Sequence, residues 1–148
     1  MFVQPFAPAA SFARYGIGCT ANGLSPSLDA APGSLPVLGT TFTFALSGLS
    51  PNPGATWLLI GCDLKQVQGS ALPVELGALG LPGCLVWNSL DFVQAIVHPN
   101  ATQVTASVVV PSTPSLAGCI VGAQAITFDN NSPNLLGAVS NGSILELR

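Results

Sequence analysis

Apolar and polar positions alternate with a period of two through most of the chain, and proline and glycine interrupt the pattern too often for helix. In TTFTFALSG, Phe42, Phe44 and Leu46 fall on one side and Thr41, Thr43, Ala45 and Ser47 on the other, which predicts a half-buried strand. ATQVTASVVVP repeats the pattern, with Val104, Ala106, Val108 and Val110 set against Gln103, Thr105 and Ser107. A shorter signal predicts a strand in SPSLDA, around Ser27–Ala30, while from Lys65 to Gly83 the chain wanders through QGS, LPVEL and GALGLPG, the last with too much glycine for helix. CLVWNSL and DFVQAIVHP read as a pair of strands with a break at 88–91. PSTPSLAG crosses over with one helical turn at 114–117, and GAVSNGSILELR closes the chain as a hairpin through Asn141-Gly142.

Two segments depart from alternation because both of their faces are apolar. One is ATWLLIGCDL, around 57–60. The other is AGCIVGAQAITFD: its odd positions are Cys119, Val121, Ala123, Ala125 and Thr127, and its even positions are Ile120, Gly122, Gln124, Ile126 and Phe128. A strand with two apolar faces is covered on both, which places it centrally in a sheet. The second face has two candidate covers, the sandwich interior or a strand from a neighbouring molecule. Gln124 becomes a buried amide that must find partners. About eight or nine short strands and no credible helix predict an all-β fold, an antiparallel β-sandwich or jelly roll.

Residues 1–13 form a distinct extended arm, and 14–148 a single domain. In the arm Phe2, Val3, Phe6 and Phe12 are interleaved with Pro5 and Pro8, which excludes helix. So aromatic a segment docks on something. It is either an edge strand of its own domain, where proline is tolerated, or a strand added to a neighbouring subunit. MFVQPFAPAASF has no basic start and no apolar core of about 7 to 15 residues, so it reads as a mature start rather than a signal peptide.

Composition changes this picture chiefly through charge. Only 6% of the 148 residues are charged, with a net charge of −3, against about 25% charged in an ordinary soluble domain. So few charges leave large neutral areas and little repulsion between copies, which favours surfaces that become covered when copies pack together. No apolar run approaches the ~18 residues of a transmembrane segment. Three cations make no footprint for nucleic acid. The four cysteines contain no close C-x2-C pair, which argues against zinc. In a chain that looks exported, two disulfides are expected, with free buried thiols as the other reading.

No catalytic constellation emerges, and the chain reads as no enzyme, with no cofactor and no metal. His98 is the lone histidine, G-x-S-x-G is absent, and six acids form no recognisable pair for glycoside hydrolysis. Asp129, Asn131 and Asn134 could ligate calcium, although a turn explains them better. Asn100, Asn130 and Asn141 match the glycan-acceptor pattern and read as chance matches. Trp57 and Trp87 are candidates for stacking on sugar rings, set against packing in the core.

RYGIGC, LPVLGTTFTFALSGL, WLLIGCDL, LPVELGALGLPGC, QAITFD and LGAVSNGSILEL together resemble a family of small secreted β-sandwich domains of environmental bacteria, which stand alone or end large exported proteins. The resemblance covers most of 11–147 and rests on glycine-rich landmarks, so it implies a fold and an exported location and no particular activity. It implies that Cys19 pairs with Cys84, and that Cys62 and Cys119 form a second disulfide. The stretch before Arg14 lies outside the family pattern, which marks it as an attachment device. The expectation is a structural subunit of an extracellular filament or surface layer, a polymer of itself joined through the arm. The alternative is a monomeric secreted module that binds polysaccharide or mediates adhesion.

Overall fold

The protein is described here by a computed structural model, which covers residues 9–19, 25–49, 54–98, 102–128 and 137–148. The described residues form an all-β, antiparallel fold of 13 strands. In chain order these are β1 (Ser11–Tyr15), β2 (Ser27–Ala30), β3 (Thr41–Ser47), β4 (Gly54–Gly61), β5 (Gln66–Val67), β6 (Ser70–Ala71) and β7 (Val74–Leu76). They continue with β8 (Leu81–Val86), β9 (Phe92–His98), β10 (Val104–Val109), β11 (Ile120–Phe128), β12 (Gly137–Val139) and β13 (Gly142–Glu146). The strands exceed the about eight or nine expected because β5, β6, β7 and β12 are two or three residues long, too short to show a period. Single 3₁₀ turns lie at Gly77–Leu79 and Pro114–Leu116, the second where a helical turn is expected.

Two sheets pack face to face. The larger runs β1-β13-β11-β4-β9 with β12 also on β11, and the smaller runs β10-β3-β2. Alternation places Phe42, Phe44 and Leu46 of β3 inward, where they meet Leu58, Ala123, Ala125 and Leu145 from the larger sheet. Phe42 and Phe44 pack edge to face at 4.7 Å between ring centres. Ser27–Ala30 forms β2 as expected. CLVWNSL and DFVQAIVHP do contribute strands, β8 and β9, but these do not pair with each other: β8 pairs with β7, and β9 with β4.

β11 sits between β13 and β4 and is covered on both faces. Its odd positions Val121, Ala123 and Ala125 join the sandwich core. Its even positions Ile126 and Phe128 pack in a second cluster with Leu76, Leu81, Cys84 and Val86 of the β7–β8 hairpin. The cover for the second face is thus a hairpin of the same molecule, not a strand from the next. A disulfide between Cys19 and Cys84 ties the hairpin to the segment that follows β1.

Three expectations are corrected. β1 pairs with β13 from Ser11↔Glu146 to Tyr15↔Gly142, so the arm ends before Ser11 rather than at residue 13. Phe12 is accordingly a core residue, stacked on Phe42 at 5.8 Å and edge-on to Phe44 at 6.3 Å; Phe2, Val3 and Phe6 lie outside the described residues. Asn141-Gly142 turns no hairpin. β12 pairs with 126–128 and β13 with 120–123 along the same edge of β11, so the two are one strand interrupted by a bulge at Ser140 and Asn141. Asn141 is held there because its amide brackets Leu28, with Oδ1 accepting from the N–H and Nδ2 donating to the C=O, each at 3.0 Å. A side chain so occupied is no glycan acceptor in the folded protein.

Phe12→Ala is expected to destabilise the isolated subunit by about 2 kcal/mol in denaturant unfolding, less than the ~3–5 for a fully buried Phe because its ring is half-buried. Reducing Cys19–Cys84, whose partners are 65 residues apart, should cost about 4 kcal/mol by the loop-entropy model, read as a fall in unfolding midpoint on adding reductant.

Candidate functional site

The smaller sheet is three strands wide and the larger sheet five, since β12 continues β13, so part of the larger sheet's inner face lies beyond its cover. β2 contacts β1, β11 and β13, which sets the smaller sheet toward the β1 side. β10 then lies toward β4 and β9, and among the described residues no strand pairs with its outer edge. Between that edge and the larger sheet runs a groove of about 580 Å³. Its walls are Val108, Val109, Val110 and Pro111 of β10 and its exit, Ile60 of β4 and Cys62 just after it, and Leu116, Cys119, Ile120, Val121, Leu145 and Leu147. Phe42 and Phe44 form its floor, and every lining side chain is apolar or a thiol.

Cys62 and Cys119 thus meet in one groove, but both are free thiols and the expected second disulfide is not formed. The β4–β11 ladder ends at Gly61↔Gly122, so Cys62 lies just beyond it and Cys119 three residues before Gly122, immediately ahead of β11. The two occupy staggered positions rather than opposite ones. Partial burial pushes the Cys62 thiol pKa above its ordinary value, with smaller contributions from Asp91 and Cys119. Asp91 accepts hydrogen bonds from Ser89 Oγ at 2.7 Å and from the Cys62 N–H at 2.8 Å, and these hold its carboxyl below the usual range.

Gln124 finds the partners that its burial demands. It is 0% exposed; its Oε1 accepts from the Trp87 N–H at 3.0 Å, and its Nε2 donates to Leu85 O at 2.8 Å and Ser140 O at 3.0 Å. One amide therefore joins β11 to the end of β8 and to the bulge. Gly122, on the same face, is glycine because a Cβ there would collide with Asn88 and Leu64.

The two tryptophans differ. Trp87 packs edge to face on Tyr15 at 5.3 Å and donates its Nε1–H to Ile17 O, a structural placement. Trp57 projects from the outer face of β4 and is 40% exposed. Asp129, Asn131 and Asn134 lie outside the described residues, and His98 ends β9. Among the described residues no three His, Cys, Asp or Glu side chains gather in a metal-binding group. No family model, curated protein or solved structure matches the chain.

The groove escaped sequence reasoning because it depends on how many strands each sheet contains. The one local sign is Val109, which breaks the alternation of β10 with an outward apolar side chain.

Gln124→Leu is expected to cost about 2–3 kcal/mol in chemical denaturation, because it strands one N–H and two C=O groups in the interior. For Asp91, whose folded pKa is depressed, the stabilisation is present above the ordinary Asp range and is lost as pH falls through the folded value. Asp91→Asn should therefore flatten the acid limb of a stability-versus-pH curve and leave the neutral region unchanged in slope.

Proposed function

We propose that this protein is a self-assembling structural subunit of an extracellular filament or surface layer, in which the N-terminal arm adds as a strand to a neighbour. The observation that carries this reading is an apolar exterior with almost no charge. Ile17 and Val109 are each 73% exposed, and Leu35, Phe92, Val93 and Ile120 also face solvent. Of the three cations, Arg14 sits 3.9 Å from Asp29 and Arg148 bonds Glu146, which leaves the surface still more nearly neutral. Such a surface is costly for a dispersed monomer and favourable for a subunit that covers it with copies of itself. The Cys19–Cys84 disulfide supports an oxidising location outside the cytoplasm. A head-to-tail contact through an arm is heterologous, and its repetition makes an open fibre.

Trp57 supports a second reading, a monomeric module that binds polysaccharide by stacking on a sugar ring. Electron microscopy separates the two. Full-length protein is expected to form filaments or sheets, and protein lacking residues 1–8 to remain monomeric while keeping its unfolding midpoint. Full-length protein that stays monodisperse, with glycan binding abolished by Trp57→Ala, would establish the second reading instead.

A further inference from the structure

We propose that the groove beside β10 is the acceptor for residues 1–8 of a second copy of this chain, which enters as a fourth strand of the smaller sheet. The proposal rests on the assembly reading above and assigns it a site. β10 supplies the first requirement, an edge with which no strand pairs among the described residues. The Val110 N–H bonds Thr40 O on the β3 side, so alternate residues Thr105, Ser107 and Val109 direct their main-chain groups the other way. Val108 and Val109 point to opposite faces yet both line the groove, so it follows the edge of the strand rather than lying beneath one face.

Phe92 supplies the second. It pairs with Ile60, and Ile60 packs against the sandwich core, so Phe92 lies on the inner side of the larger sheet. It is nevertheless 49% exposed. An inward-facing aromatic ring left in solvent is what results when the covering sheet is one strand too narrow. A single added strand widens that sheet by about 4.8 Å and reaches over β4 toward β9.

The lining distinguishes a peptide from a small molecule. Pockets for small ligands place a few polar groups to orient the occupant, and here the side chains offer only hydrocarbon and thiols. The remaining polar groups are the main chain of β10, which only another extended main chain matches along its length. Residues 1–8 have the required character. Phe2, Gln4 and Phe6 share one side of an extended strand, Pro5, with the other parity, places its missing N–H on the edge away from β10, and Pro8, which shares the parity of Phe6 and has no N–H to donate, ends the paired stretch. β1 begins at Ser11 on the β13 edge of the larger sheet, whereas the outer edge of β10 faces β4 and β9, so the arm in this groove is assigned to a second copy, as the assembly reading requires.

The test uses the thiols already in the groove. Full-length Phe6→Cys protein is incubated with glutathione disulfide, which accepts two electrons and two protons as a thiol pair becomes a disulfide and is itself released as two glutathione thiols. A ladder of disulfide-linked multimers is expected on non-reducing gels. The ladder should be lost in Phe6→Cys with Cys62→Ser and Cys119→Ser. Filaments under the microscope without a ladder would overturn the groove as acceptor and leave the assembly reading standing. A disulfide confined to monomers would overturn the second copy as donor. Neither filaments nor ladder would overturn the assembly reading itself. As an independent measure, Phe92→Asp is expected to abolish filaments while the monomer's unfolding midpoint is unchanged; filaments that persist would count against the groove.

Discussion

A strand that is dry on both faces is the constraint around which this molecule is built. β11 carries apolar side chains in both directions, and a single sheet packed on a single core can cover only one of them. The second cover has to come from elsewhere in the chain, and the β7–β8 hairpin supplies it. Gln124 then turns a covering contact into a specified one. An amide in the interior must satisfy its hydrogen bonds, and the carbonyls and N–H that satisfy this one belong to 85, 87 and 140. Any sliding of the hairpin along β11 breaks the bonds to 85 and 87, while the bond to Ser140 ties the same amide to the bulge. The Cys19–Cys84 disulfide ties the same hairpin to the segment after β1, so a short, glycine-rich element that could not be stable alone is fixed at two points.

The layer on the opposite side of β11 is less complete. Three strands cover an inner face built from a sheet five strands wide, and the shortfall falls on the side of β4 and β9. There the interior becomes exterior: Phe42 and Phe44 are at once the centre of the core and the floor of a groove. Proteins usually protect an open strand edge with charge. On β10 the outward side chains are Thr105, Ser107 and Val109, and none carries charge. An edge without protection beside an apolar trough is consistent with a composition in which only nine of 148 residues are ionic. Both features suit a molecule whose surface is completed by another molecule, which is why assembly is the function we propose.

Phe12 shows how local sequence can mislead about such a surface. Read with Phe2, Val3 and Phe6, it belongs to one aromatic, proline-punctuated run. In the fold it is separated from them, because from Ser11 onward the chain finds a ladder on β13 and an aromatic cluster to join. Where the arm ends was set by the availability of a partner strand, which is a property of residues more than a hundred positions away. Cys62 and Cys119 show the converse. Sequence resemblance put them together, and the fold does bring them into one groove, but their bonding depends on a stagger of a few residues at the end of the β4–β11 ladder.

The sequence by itself determined the class of fold, the inward face of β3 and β10, the central place of β11 and the burial of Gln124. Each follows from side-chain periodicity and from the cost of leaving apolar surface wet or polar groups unpaired, and both are local facts. Only the tertiary structure decided which element covers the second face of β11, that Asn141 closes a bulge on Leu28 rather than a hairpin, and that β10 borders an open groove. These depend on strand order and on the relative width of two sheets. Backbone pairing is chemically the same whichever strands make it, so the residues that choose a partner lie far apart in the chain and leave no periodic trace.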